Sequence, residues 1–91
     1  MNPEDIKIKL IEYVIENSFL ENINQENIPL DESLLDTGKL DSYGIIELTE
    51  FVESNWNFVI PDQEFIIENF GSINKITEYI LRKKNPRMYP K

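Results

Sequence analysis

Ninety-one residues, 41% hydrophobic and 29% charged, suffice for one folded domain and leave no room for a second core. With no Cys and no His, the chain lacks disulfides, thiolate nucleophiles, thiolate zinc sites, iron–sulfur ligation and the usual general base. The net charge of −8 is uneven, with nine acids against Lys39 alone in residues 31–64 and a basic stretch from Lys75 to Lys91, a balance that repels nucleic acid and suits basic protein surfaces.

No apolar run approaches the roughly 18 residues of a membrane span, and Met1-Asn2-Pro3-Glu4-Asp5 lacks the basic-then-apolar order of an export signal. A cytoplasmic protein without a membrane span is expected.

The first element is a helix from Pro3 to about Phe19. Ile6, Leu10, Tyr13 and Val14 recur at helical spacing, and Glu4 and Asp5 occupy a first turn where the helix dipole favours acids. The stretch from Leu20 to Leu40 carries Asn22, Asn24, Asn27, Pro29 and Gly38 and reads as a long loop. Ile28, Leu30, Leu34 and Leu35 are expected to pin it across the bundle, with one helical turn near Asp31–Leu35.

Asp41 and Ser42 open a second helix in which Ile45, Leu48, Val52 and Trp56 form the apolar stripe and Glu47, Glu50 and Glu53 an acidic flank. Asn57-Phe58-Val59-Ile60-Pro61-Asp62 alternates like a strand, but it has no second run to pair with and Pro61 ends it, so a loop is expected. Glu64 to Asn69 forms a short helix, and Gly71 breaks it. Ser72 then caps a last helix with Ile73, Ile76 and Ile80 inward, stopped by Asn85-Pro86. The basic residues near its end are either a patch for anionic surfaces or the ordinary cationic complement of a helix C-terminus. The fold class is all-α: a small antiparallel four-helix bundle with three main helices, one short helix and a long first loop. The domain is expected to span 1–84, with 85–91 a frayed tail.

Catalytic readings fail on the residues. Leu40-Asp41-Ser42-Tyr43-Gly44 lacks the first Gly of a nucleophile elbow, and no His is present to take the serine proton. The carboxylates lie on solvated helix flanks, without the enclosing pocket that separates the pKa values of an acid–base pair. Neither Asp31–Asp36 nor Asp36–Asp41 has the spacing of a calcium loop, so no metal site is expected.

What remains is a serine where a helix begins. Unpaired backbone N–H groups and the positive dipole end there favour a phosphodiester on its hydroxyl, although Asp41 and Ser42 also read simply as helix caps. The run from Leu35 through Asp36-Thr37-Gly38-Lys39-Leu40-Asp41-Ser42-Tyr43-Gly44-Ile45-Ile46-Glu47 to Leu48 resembles the modification-site signature of acyl and peptidyl carrier proteins. Trp56, Phe58-Val59-Ile60-Pro61-Asp62, the Asn69–Ile73 turn and the Ile-rich last helix follow in that family's order, so the likeness covers about Pro3 to Lys84.

The resemblance implies that a phosphopantetheinyl transferase attaches 4′-phosphopantetheine from coenzyme A to Ser42, beside Asp41. The arm's thiol would then carry acyl or aminoacyl thioesters, making the chain a substrate and shuttle and not an enzyme. It also implies a loading ligase or transferase, and downstream biosynthetic enzymes whose basic patches meet Asp41, Glu47, Glu50 and Glu53. Ile45, Ile46, Leu48, Ile60, Phe65 and Ile66 would line a gap for a short acyl chain, although residues of each of these kinds are more often simply core. Fatty-acid, polyketide and nonribosomal peptide synthesis all use such carriers, and a free shuttle is most simply a monomer.

Tyr43 stands where the family usually has Leu, Met or Phe, and Gly44 replaces the acid typical of the housekeeping fatty-acid carrier. This looks closer to stand-alone carriers, including D-alanyl carriers loaded by adenylate-forming ligases. The alternative from another class is a non-carrier acidic helical adaptor that docks on a basic partner.

Overall fold

The structure, a computed structural model, describes residues 2–17, 28–38 and 40–84. Four α-helices follow one another: α1 Pro3–Asn17, α2 Ser42–Trp56, α3 Ile67–Phe70 and α4 Ile73–Lys84, with a 3-10 turn at Asp62–Glu64. No strand occurs among the described residues, and the Asn57–Pro61 stretch is irregular as expected. The expected end of the first helix at Phe19, the Asn85-Pro86 stop and the tail lie outside the described residues.

α1 starts where the Asn2 side chain accepts the Glu4 N–H at 2.9 Å, satisfying one of the donors left unpaired at a helix start. It buries Ile6, Leu10 and Val14, while Tyr13 is half-buried and stacks on Phe51 of α2 with ring centroids 4.5 Å apart. α2 buries Ile45, Leu48, Thr49, Val52 and Trp56, the stripe its spacing predicts, and ends at Asn57 in the left-handed conformation. α4 is the central element, packed against each of the other three, with Ile73, Ile76 and Ile80 inside as expected. Ser72 Oγ caps it by accepting the Lys75 N–H at 3.3 Å.

The loop before α2 is stitched to the α3–α4 junction. Leu34 N–H donates to the Gly71 carbonyl at 3.0 Å, Asn74 N–H donates to the Leu30 carbonyl at 2.9 Å, and Asn74 Nδ2 donates to Asp31 Oδ1 at 2.6 Å. Ile28 and Leu34 are buried anchors, but Leu30 and Leu35 are exposed, contrary to expectation. The turn expected at Asp31–Leu35 falls at Ser33–Gly38. Ser33 caps it, accepting the Asp36 N–H on Oγ at 3.1 Å and the Thr37 N–H on its carbonyl at 3.0 Å.

The short helix expected at Glu64–Asn69 is divided. Asp62–Glu64 forms the 3-10 turn, Phe65 leaves helical geometry with ψ 75, Ile66 is extended, and α3 begins only at Ile67. The basic residues near the C-terminus of α4 are largely committed inside the fold. Lys83 pairs with Glu64 at 2.6 Å, and Arg82 donates to Asn69 Oδ1 at 2.9 Å.

Candidate functional site

The junction at Asp41 and Ser42 is built by the capping chemistry that the sequence encodes. Asp41 is extended (φ −93, ψ −177), and its Oδ1 accepts the Gly44 N–H at 2.7 Å, while its carbonyl accepts the Ile45 N–H at 3.0 Å. Ser42 is the first residue of α2 and is exposed. Its hydroxyl has no hydrogen-bond partner among the described residues, and neither do the backbone N–H groups of Ser42 and Tyr43. Among the described residues, the helix start therefore presents a hydroxyl and two backbone donors without partners at its positive end.

Gly44 fits this junction for a steric reason. A Cβ there would stand 3.2 Å from Asp41 Oδ1 and 3.2 Å from Leu40 Cδ2, tight contacts on the side where the cap lies. Outside the cap, Tyr43 is 66% and Ile46 47% exposed, so apolar side chains on α2 stand in solvent close to Ser42.

The acidic residues of α2 have unequal positions. Glu47 and Glu50 are exposed, and Tyr13 of α1 lies on their flank. Burial, reinforced by the charges of Glu47 and Glu50, pushes the Tyr13 phenol above its ordinary pKa. Glu53 is half-buried, and its Oε2 accepts the Ile60 N–H at 2.7 Å, so it ties α2 to the following loop and does not project with the other two. The Asp41 carboxylate is likewise engaged, as the α2 cap.

A mainly apolar cavity of about 220 Å³ lies between the loop before α2, the first turn of α2 and the α3 segment. Ile45, Phe65 and Ile66 contribute to its wall. Three other residues expected in such a gap do not: Leu48 is fully buried in the core, Ile60 packs half-buried against that core, and Ile46 points to solvent. Leu35, Ile67, Phe70 and Gly71, together with Ser33 and Asp36, complete the wall, and none of these six was among the residues expected there. Ile67 extends the apolar run Phe65-Ile66, a signal that was present, whereas Leu35 lines the cavity only because the loop folds back onto the α3–α4 junction. A larger groove of about 500 Å³ and mixed polarity, between α1, Asp31 and α4, contains none of these residues.

Among the described residues no group of three or more acids is arranged to hold a metal ion, and no helix is long and apolar enough to cross a membrane.

Three comparisons give this geometry its setting. The chain is 36% identical over 81 residues to the D-alanyl carrier protein of Streptococcus sanguinis (strain SK36), covering 89% of this chain and 98% of that protein. It is 35% identical over 81 residues to the D-alanyl carrier protein of Streptococcus thermophilus (strain ATCC BAA-491 / LMD-9), with the same coverage. It is 38% identical over 72 residues to that of Streptococcus suis (strain 05ZYH33), covering 79% of this chain and 86% of that one. No family model matches the chain.

A small helical bundle with relatives of this kind is a carrier protein, a class that transports an attached group and is not itself a catalyst. The chain belongs to the acyl carrier protein family, among relatives named for the D-alanyl group.

Proposed function

We propose that Ser42 receives a 4′-phosphopantetheine arm from coenzyme A through a phosphopantetheinyl transferase, and that the arm carries an aminoacyl group, D-alanyl in the first instance, as a thioester. The observation that carries this reading is the exposed Ser42, whose hydroxyl has no partner among the described residues, at the head of a 15-residue helix. The residues present fit the group. Ser42 Oγ is open to modification, and the unpaired Ser42 and Tyr43 N–H groups offer donors to a phosphodiester at the dipole's positive end. Asp41 keeps that end in shape by holding the Gly44 N–H. When bound, the arm supplies the thiol that a chain without Cys lacks.

D-alanine as cargo is supported by the printed names of the relatives and by Gly44 in place of an acid. The loading partner is then an adenylate-forming ligase in the cytoplasm. Glu47 and Glu50, rather than Glu53, are the charges available to basic patches on the transferase, the ligase and downstream enzymes, giving fast and salt-sensitive encounters. Residues 1–84 form the carrier domain.

The test has two stages. Incubation with coenzyme A, Mg²⁺ and a broad-range transferase should raise the intact mass by one phosphopantetheine, and Ser42→Ala should abolish the increment. The modified protein, given ATP and an adenylate-forming ligase, should take up D-alanine in preference to L-alanine or butyrate, read as hydroxylamine-labile label. Modification without D-alanine uptake would leave the carrier site standing and reject the cargo.

A further inference from the structure

The α3 segment hangs on α4 through residues that line none of the apolar cavity. Tyr79 Oη donates to Glu64 Oε1 at 2.6 Å, and the Lys83 ammonium stands 2.6 Å from the same oxygen. The Glu64 carbonyl accepts from Asn69 Nδ2 at 2.7 Å, and Asn69 Oδ1 in turn accepts from Arg82 Nη2 at 2.9 Å. The stretch is thus tied at both ends, Glu64 and Asn69, to one face of one helix. Tyr79 is 2% exposed, its ring 4.8 Å from that of Phe70 and 6.0 Å from that of Phe58, so the anchor on α4 is itself locked in the core.

Beyond Asn69 the segment is also held by Phe70, which is buried against Tyr79, but between the two polar ties residues 65–68 have little else to fix them. Phe65, Ile66 and Ile67 are all exposed, so burial contributes only a fraction of what such side chains supply in a core. α3 is four residues long, and its turn is closed by the Asn69, Phe70 and Gly71 N–H groups alone, too few bonds for a helix to stand by itself. Bonds to charged groups are the stronger ones, and here they converge on one carboxylate oxygen.

We propose that Glu64, Tyr79, Lys83 and the Asn69–Arg82 pair form a clasp that holds the segment Phe65–Phe70 as a lid on the apolar cavity, so that access to the cavity is governed from α4. These are positioning residues, and they act on the protein whether or not Ser42 is modified.

Residue-by-residue hydrogen exchange on the unmodified chain tests the clasp. In Tyr79→Phe and Lys83→Met, the Asn69, Phe70 and Gly71 amides should exchange on the order of tenfold faster, with α1 and α2 amides unchanged. Lys83→Arg should restore slow exchange, and Lys84→Ala, an exposed neighbour, should have no effect. Binding of 1-anilinonaphthalene-8-sulfonate, followed by fluorescence, should strengthen several-fold in Tyr79→Phe. Unchanged exchange at residues 69–71, acceleration shared equally by α1 and α2, or local acceleration with no change in dye binding would each overturn the proposal.

Discussion

The Glu53 carboxylate accepts the Ile60 N–H at 2.7 Å, linking the last turns of α2 to the loop that leads toward α3. This bond separates Glu53 from Glu47 and Glu50, which share its helix flank in the sequence but are exposed in the structure. Glu53→Ala should therefore cost about 1–2 kcal/mol of stability, while Glu47→Ala and Glu50→Ala should each stay within about 0.5 kcal/mol. Urea unfolding of the three variants measures the difference. Loading kinetics should show the reverse pattern, with lower association rates and a weaker salt dependence for the Glu47 and Glu50 variants.

Asp41 and Ser42 are adjacent and do different work. Removing the cap in Asp41→Ala should lower stability by about 1 kcal/mol, and Asp41→Asn should recover most of it, because an amide oxygen can still accept the Gly44 N–H. Ser42→Ala removes a hydroxyl that bonds to nothing described and should unfold within about 0.5 kcal/mol of the parent. Thermal melts of the three variants settle the point. A large loss in Ser42→Ala would show that the hydroxyl is structural.

The phenols of the bundle predict its alkaline behaviour. Burial, then the hydrogen bond and charge of Glu64, hold the Tyr79 pKa well above the usual 10.0, against a smaller opposing effect of Arg82. Tyr13 is shifted the same way, chiefly by burial. Above pH 10 the unfolded chain gives up these protons while the folded chain keeps them, so the folded state binds more protons there. The contribution is complete below pH 10 and is lost as pH rises toward the folded-state values. Urea midpoints from about pH 8 to about pH 11 should fall above pH 10, and less steeply in Tyr79→Phe, with Tyr13 leaving a residual slope.

Gly71 is required by packing. A Cβ at this position would stand 2.7 Å from the Ile67 carbonyl oxygen, a backbone atom that cannot move without displacing α3. Gly71→Ala should destabilise by about 1–3 kcal/mol, by chemical denaturation, and should disturb the Leu34 N–H bond that the Gly71 carbonyl accepts.

The helices were legible because their information is local. Ile6, Leu10 and Val14, then Ile45, Leu48, Val52 and Trp56, then Ile73, Ile76 and Ile80 repeat at a spacing that one helix face must bury, and Asp41 and Ser72 are side chains whose oxygens satisfy helix-start donors within three residues. Even the α3 region was visible as a short element, though Phe65 and Ile66 shift its start to Ile67.

By itself, then, the sequence determined an all-helical acidic bundle without thiol or imidazole chemistry and with a serine at the head of its second helix. The tertiary structure decided which residues are free to act. Glu53 is committed because a loop N–H seven residues away reaches it, Leu35 meets the cavity because its loop bonds to Gly71, and the basic end of α4 turns inward because Glu64 lies beside Tyr79 and Lys83. Periodicity reports which face of an element is apolar. It carries nothing about which distant polar group will meet a side chain once the elements pack, and that meeting separates a structural carboxylate from one available to a partner.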